Sequence, residues 1–535
     1  MCEGYAPPKV KRSTVRTERL LLPKLVPPTQ PASRTSTPAL RPPASHTSIL
    51  PAPSFGFELD GDDRWYFALF RDQVALELSP YHQSHFWTRT SLRDSMINKC
   101  IRHSILSIGA YARALMDLHE EYPWDINMSR PWWPPSVLNR HHQAALVHQA
   151  KALSHLRSDI EMYGIDGRLT MTVTLLFIVF ENMQGNYHSS GNLIRSGIKV
   201  LTNMRSIDSG HESSLRHQRH RYLTAPRDEL NEMADMFTRH SITYAYVPFS
   251  HGKFAYHLLF TDDGNEEVDE DYFSGPYALT IPQNLEQARR TWDYLSPLLA
   301  NFHSKAVWHN LYPDYDIDED ALLREQATFL TELGEFGKAL DLLCVNQLDT
   351  QGSRSLELLR LHHMLATTFV SCCLDPTEEA YDGFLQEFDD GIQRSRSFIE
   401  AISSSPRKVG FSNEVGLLVM LAFVGLKCRR QRVRMEALEL LKRYSWREGG
   451  WDSTSLANAV SGLMKLEGQN PDAEAQNAAG LILENPSSIV PPTNARYTWT
   501  NMFWDFENRQ MILEYTKLLP NECGEFDKVR CVMGA

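Results

Sequence analysis

No apolar run in this sequence is long enough to cross a bilayer. The two longest, Leu169 to Phe180, broken by threonines, and Val415 to Leu426, fall short of the roughly 20 residues that a membrane-spanning helix needs. Both read as buried helices, and no membrane partner is expected. Near the start only Leu20, Leu21 and Leu22 are apolar in succession, hemmed in by Arg19 and Pro23, so no secretory signal is evident and a reducing compartment is expected. Cysteine is sparse: 8 in 535 residues, at 2, 100, 344, 372, 373, 428, 523 and 531, without the paired spacing of a disulfide framework or a metal knuckle. Most of them read as buried thiols. Positive charge is also in deficit. A formal net charge of −12 excludes a chain that binds nucleic acid over its whole surface, because phosphate neutralisation needs a basic face. Any such contact must come from a local basic segment.

Catalytic signatures are missing as well. There is no G-x-S-x-G, no phosphate loop and no G-x-G-x-x-G, and His211-Glu212 has Leu215 where H-E-x-x-H needs its second histidine. No catalytic residue is assigned, and an enzyme is not expected. His141, His148 and His155 recur every seven residues on one predicted helix, which at 1.5 Å per residue puts neighbours roughly 10 Å apart, too far to share one zinc ion. They read as a polar or boundary stripe. His217 and His220 lie among Arg216, Arg219 and Arg221, which repel a cation, and adjacent His362 and His363 point to different parts of a helix surface. Glu181, inside an apolar helix, is the one carboxylate placed to be buried with a raised pKa; it reads first as a hydrogen-bond partner for a neighbouring helix. The tryptophans, including Trp132, Trp133, Trp446, Trp451, Trp499 and Trp504, serve equally as pocket lining or as core mass.

What is present divides the chain into an arm and a body. Residues 13–60 are rich in Pro, Ser and Thr, and the prolines repeatedly remove backbone donors, so an unstructured basic linker is expected there. From about residue 61 to 535 the apolar spacing turns helical, and strand signals are nearly absent. The spacing predicts helices at Leu92–Leu118, Val137–Tyr163, Leu169–Gln184, Tyr187–Met204, Gln283–Phe302, Glu319–Leu330, Gly337–Leu343, Leu356–Cys373, Tyr381–Ile402, Asn413–Tyr444 and Ser453–Leu466. A Gly185-Asn186 turn, a helical hairpin at Gly334–Ala339, and surface loops at 206–227 and 262–271 are also predicted. The fold class read from this pattern is all-α: a large, irregular multi-helix body of packed helical hairpins.

The opening Met1-Cys2-Glu3-Gly4-Tyr5-Ala6-Pro7-Pro8-Lys9-Val10-Lys11-Arg12 resembles the end of the six-cysteine binuclear zinc cluster of fungal transcription factors, where the last cysteine precedes an acidic residue, Gly-Tyr, prolines and basic residues. The body resembles the regulatory domain of the same family over most of its length. The matching segments, in order, are Ala75 to Tyr81 with Phe86-Trp87, Leu176 to Glu181 running into Gln184 to Tyr187, Leu193 to Gly197, Leu359 to His362, Lys427 to Arg430, Ala437 to Leu441, and Trp446 to Asp452.

The resemblance implies that residues 1–12 are the remnant of a zinc cluster with its basic tail, and that Cys2 is one ligand of a set of six. Cys2 alone cannot hold two zinc ions, since each needs a closed tetrahedral set, so no cofactor is expected for the chain as it stands. Either the reading frame begins one exon late or the lineage has lost the cluster. Lys9, Lys11 and Arg12 are the candidate contacts to DNA phosphates; with the cluster restored, specific DNA binding is expected, and without it only weak, non-specific binding. The resemblance further implies a nuclear, pathway-specific transcriptional regulator with other transcription regulators among its partners. The alternative is a cytosolic or nuclear helical scaffold that binds another regulator without touching DNA.

Overall fold

The computed structural model describes residues 59–82, 84–121, 139–208, 228–245, 282–311, 318–343, 348–403, 410–444, 446–469, 490–505, 508 and 510–534. Helices make up 75% of this region, and the all-α class holds. The basic arm, with Cys2, Lys9, Lys11 and Arg12, lies outside the described residues, as do the 262–271 stretch and most of 206–227.

The N-terminal half of the body begins with α1 (Gly61–Leu69), which continues through a π-helical turn at Phe70–Val74. It goes on with α2 (Ser91–Ile97), α3 (Lys99–Glu121), α4 (Arg140–Tyr163), α5 (Gly167–Gln184), α6 (Tyr187–Asp208) and α7 (Glu229–Ala245). Short oxygen-bearing side chains start these helices by accepting from otherwise unpaired backbone N–H groups. Asn139 caps α4 through His141 N and His142 N, and Asp166 caps α5 through Arg168 N and Leu169 N. The turn expected at Gly185-Asn186 is present. Gly185 has φ 77°, a left-handed conformation that glycine adopts without strain, and Asn186 N returns to Glu181 O at 2.9 Å to close the helix end. Every residue from Met171 to Phe180 is buried, which accounts for the long apolar run.

The C-terminal half contains α8 (Leu285–Leu311), α9 (Glu319–Leu342), α10 (Thr350–Cys372), α11 (Leu385–Ser403), α12 (Leu418–Lys427), α13 (Gln431–Arg443) and α14 (Ser453–Leu466). Two expectations fail here. The hairpin predicted at Gly334–Ala339 is the interior of one continuous helix, α9. Its Gly337 serves packing: a Cβ there would stand 2.7 Å from the His363 ring of α10. The single helix predicted from Asn413 to Tyr444 is broken into α12 and α13 at Cys428–Arg430, where the Arg429 side chain turns inward and is wholly buried.

Strands supply the other departure from the helical reading. β1 (Phe411–Ser412) pairs in parallel with β2 (Arg447–Glu448), which pairs antiparallel with β3 (Trp451–Asp452). The end of the body, expected to be helical to residue 535, instead forms a three-stranded antiparallel meander of β4 (Tyr497–Asp505), β5 (Gln510–Lys517) and β6 (Lys528–Gly534). Its inner face packs on α14 through Trp499, Leu513 and Tyr515, whose hydroxyl donates to Ala459 O at 2.8 Å.

Two hydrophobic cores result. One gathers Phe67, Phe70, Trp87, Ile105, Phe177 and Phe237; the other gathers Leu299, Phe302, Phe329, Leu361, Phe369, Leu421 and Leu440. Fully burying each such side chain contributes roughly 1.5–3 kcal/mol. The halves exchange one aromatic each, because Tyr81 sits in the C-terminal core and Phe411 in the N-terminal one.

Candidate functional site

Polar groups concentrate at the seam between the two cores. Glu414, on the segment after β1, reaches the chain after α1: Ser79 Oγ donates to its Oε1 at 2.7 Å and Tyr81 N to its Oε2 at 3.3 Å, while Asn413 N donates to Leu78 O at 2.9 Å. Burial raises the pKa of Glu414, against the pull of Arg289 and Arg239. Nearby, Arg447 Nη1 donates to Asn182 O at 2.9 Å, tying β2 to the end of α5.

Beside Glu414 lies a cavity of about 30 Å³ lined by Arg239 from α7, by Arg289, Trp292, Asp293 and Ser296 from α8, and by His362 from α10. Pro297 falls inside α8 and has no N–H to offer the Asp293 carbonyl one turn back, which loosens the helix at this wall. Arg239 grips the Asp293 carboxylate with two nitrogens, the shortest contact being 2.7 Å. Burial draws the Arg239 pKa down, and Asp293, with the charges of Asp235 and Glu414, more than restores it. Arg289 Nε lies 3.0 Å from Asp293 Oδ1, yet the approach is too bent for a hydrogen bond. Burial lowers the pKa of Arg289.

Two tautomers follow from these partners. Arg289 Nη1 contacts His82 Nε2 and an arginine only donates, so His82 Nε2 accepts; its protonated Nδ1 then donates to Ser355 Oγ at 2.8 Å. His362 Nε2 contacts Gly416 O at 2.8 Å and a carbonyl only accepts, so that nitrogen carries the proton; burial pushes the His362 pKa down to about 4 and keeps the ring neutral. Among the described residues, Ser296 Oγ, His240 Nδ1, Asn413 Oδ1 and Arg289 Nε are buried at the seam without a hydrogen-bond partner. Most buried polar groups in folded proteins are paired, so this concentration marks the seam out.

A second charged cluster anchors the C-terminal sheet. Glu467, wholly buried, pairs with Arg434 Nη1 at 2.5 Å and Arg429 Nε at 3.2 Å and also accepts from Tyr497 N at 3.0 Å. Arg429 reaches on to Glu378 at 2.9 Å, and Glu378 has φ 56°, a strained conformation for a non-glycine residue. Its charges are mutually paired, and its work is structural.

The histidine stripe lands between α3 and α4. His141 and His148 are buried, and His103, which the sequence reading did not single out, stacks between His148 and His155 at 5.3 and 5.4 Å. Asp63 holds His148 Nε2 at 3.0 Å. Among the described residues, no group of three or more His, Cys, Asp or Glu side chains converges to hold a metal ion. Glu181 has the raised pKa expected from burial, but its partner is Asn186 Nδ2 in the adjoining turn, at 2.7 Å, and not a neighbouring helix. His362 and His363 diverge, the latter bonding Leu333 O at 2.8 Å. Cys100, Cys372, Cys373 and Cys428 are buried, Cys531 is half-buried and Cys523 exposed. Cys2, Lys9, Lys11, Arg12, His217, His220, Trp132 and Trp133 lie outside the described residues. No described helix is long and apolar enough to cross a membrane. No protein-family profile, curated protein or solved structure matches the chain.

Proposed function

We propose that the chain is a nuclear transcriptional regulator of the fungal zinc cluster type, that its helical body is the regulatory domain, and that it is not an enzyme. One observation carries the reading: three of the segments that resemble the family, those holding Ser79 and Tyr81, His362, and Arg447 and Glu448, take part in the junction. Ser79 and Tyr81 hold Glu414, Asn182 beside Glu181 receives Arg447, His362 lines the cavity, and Glu448 seats the start of α12. In this reading the body transmits a signal across the seam, and DNA contact is left to Lys9, Lys11 and Arg12 and to a zinc cluster of which Cys2 is one ligand. The test is deletion of the gene with transcript profiling, beside imaging of a fluorescent fusion. A coherent set of altered transcripts with nuclear fluorescence supports the reading; an unaltered profile with fluorescence confined to the cytosol overturns it.

A second reading, a helical scaffold that acts on another regulator without touching DNA, is favoured by the outer face of α4. There Leu146, Leu153 and Ile160 recur every seven residues and are 43%, 41% and 38% exposed. It predicts that alanine at Lys9, Lys11 and Arg12 leaves the transcript profile unchanged while Leu146→Glu with Leu153→Glu abolishes the effect.

A further inference from the structure

We propose that the outer face of α4 is a contact surface between two copies of this chain, paired antiparallel about a two-fold axis. The proposal is independent of the transcription reading, and it gives to a second copy the face that the scaffold reading gives to another regulator. Exposed apolar surface is concentrated here: of the fourteen large hydrophobic side chains exposed among the described residues, seven lie between Leu146 and Ile165. Single exposures scattered over a soluble protein are ordinary, whereas a run of them along one helix and its end marks a contact surface. α4 has α3 packed behind it, and Ala145, His148 and Ala152 are buried on that inner side.

The exposed side has the spacing of a paired helix. Gln143, Leu146, Ala150, Leu153, Arg157 and Ile160 are all exposed, and they alternate at intervals of three and four residues, the a and d positions of a heptad. Turned end for end, this stripe matches itself. With the axis between Lys151 and Ala152, Ala150 falls opposite the partner subunit's Leu153, Leu146 opposite the partner subunit's Arg157, and Gln143 opposite the partner subunit's Ile160. Small faces large at the centre, which lets the two helices interdigitate. Arg157 can lay its aliphatic stem along a leucine and keep its charged head in water. Lys151, beside the axis, sits more than a quarter turn off the stripe, so the two copies' lysines do not meet across it.

Charge selects the second copy as the occupant. Flanking the stripe are Arg140, Val147, Ser154 and Glu161, spaced seven apart and again all exposed. The same axis sets Arg140 beside the partner subunit's Glu161 and Val147 beside the partner subunit's Ser154, so each end of the pairing carries one positive and one negative charge. A parallel pairing would set arginine against arginine and glutamate against glutamate. A surface that complements itself under a two-fold rotation is what an isologous dimer requires.

Sedimentation equilibrium of the full purified chain measures the assembly directly, whatever the chain does to transcription. The expected result is a monomer–dimer equilibrium. Leu153→Glu, at an exposed position outside both cores, should give monomer with an unchanged circular dichroism spectrum. Arg140→Glu and Glu161→Arg should each weaken the dimer about tenfold, because both end pairs turn from attraction to repulsion. The double variant, Arg140→Glu with Glu161→Arg, should regain the parent's dissociation constant to within about threefold, a rescue that misfolding does not produce. A parent that stays monomeric up to about 100 μM overturns the proposal and leaves the face open to another protein. A dimer unchanged by folded Leu153→Glu, or a double variant no tighter than the single ones, overturns it as well.

Discussion

Glu448 and Leu417 are joined by a buried hydrogen bond of 3.0 Å from Leu417 N to Glu448 Oε1, and the same carboxylate also accepts from Gly416 N and Leu418 N at 2.9 and 3.0 Å. One side chain from β2 thus satisfies three consecutive N–H groups at the start of α12, the positive end of that helix. Truncation leaves three buried donors unpaired, so Glu448→Ala should cost about 3–5 kcal/mol, and Glu448→Gln, which keeps an acceptor but loses the charge, about half of that. Gly416→Ala should be similarly damaging, because its Cβ would fall 2.2 Å from Glu448 Oε1. Chemical denaturation of the three variants checks the order.

Glu467→Gln should destabilise the body by about 3–5 kcal/mol, since it leaves Arg429 and Arg434 buried without their shared counter-charge. The damage should be local at first. Because Glu467 also accepts from Tyr497 N, hydrogen exchange should accelerate in 497–534 before it does in α5. Uniform acceleration across both regions would contradict the anchoring role.

Stability should fall as pH drops from about 6.5 toward 4. Burial, first among the causes, pushes His103, His303 and His362 down to about 4 and His240 to about 3 in the folded chain. Between these values and the ordinary 6.5 the unfolded chain binds protons that the folded chain refuses, so the histidines' contribution is full above 6.5 and is lost on acidification. Glu181, Glu325, Glu414 and Asp452, raised by burial, act in the opposite sense and offset part of the loss at the acid end. Tm measured from pH 7 to 4 should show the decline, and His103→Gln should make it shallower.

Much of the helical body is legible in the spacing of apolar residues. Ser453–Leu466 was expected with the bounds it has, and Gly185-Asn186 announced its turn because glycine tolerates a left-handed conformation that other residues resist. Gly337 sits inside a helix for a different reason, close packing against His363. A glycine that admits a neighbouring ring looks, in one dimension, like a glycine that turns the chain. The C-terminal strands carry a local signal of their own: Tyr497-Thr498-Trp499-Thr500 and Met511 to Thr516 are rich in aromatic and β-branched residues, although Trp499 alone reads equally as pocket lining or as core mass. The cavity was invisible. Arg239, Arg289, Ser296 and His362 are ordinary helix residues one by one, and only the packing of α7, α8 and α10 makes them neighbours.

DNA binding through Lys9, Lys11 and Arg12 alone should be weak and indifferent to sequence, because phosphate contacts position a protein without reading bases. Log affinity should fall with log salt at about −0.9 per phosphate contact, and alanine at the three positions should weaken all duplexes alike and flatten that slope. A competition assay with scrambled duplex measures this; a nanomolar, sequence-selective complex that survives the triple substitution would place DNA reading in the helical body.

The central claim, that the body is a transcriptional regulatory domain, is tested most directly by fusing the full chain to an unrelated DNA-binding domain and measuring a reporter that carries that domain's sites. The account predicts a severalfold change in reporter transcription that disappears when Glu448→Ala undoes the junction at constant protein level. Reporter output indistinguishable from that of the unrelated domain alone, with the fusion folded, nuclear and bound at its sites, would contradict it.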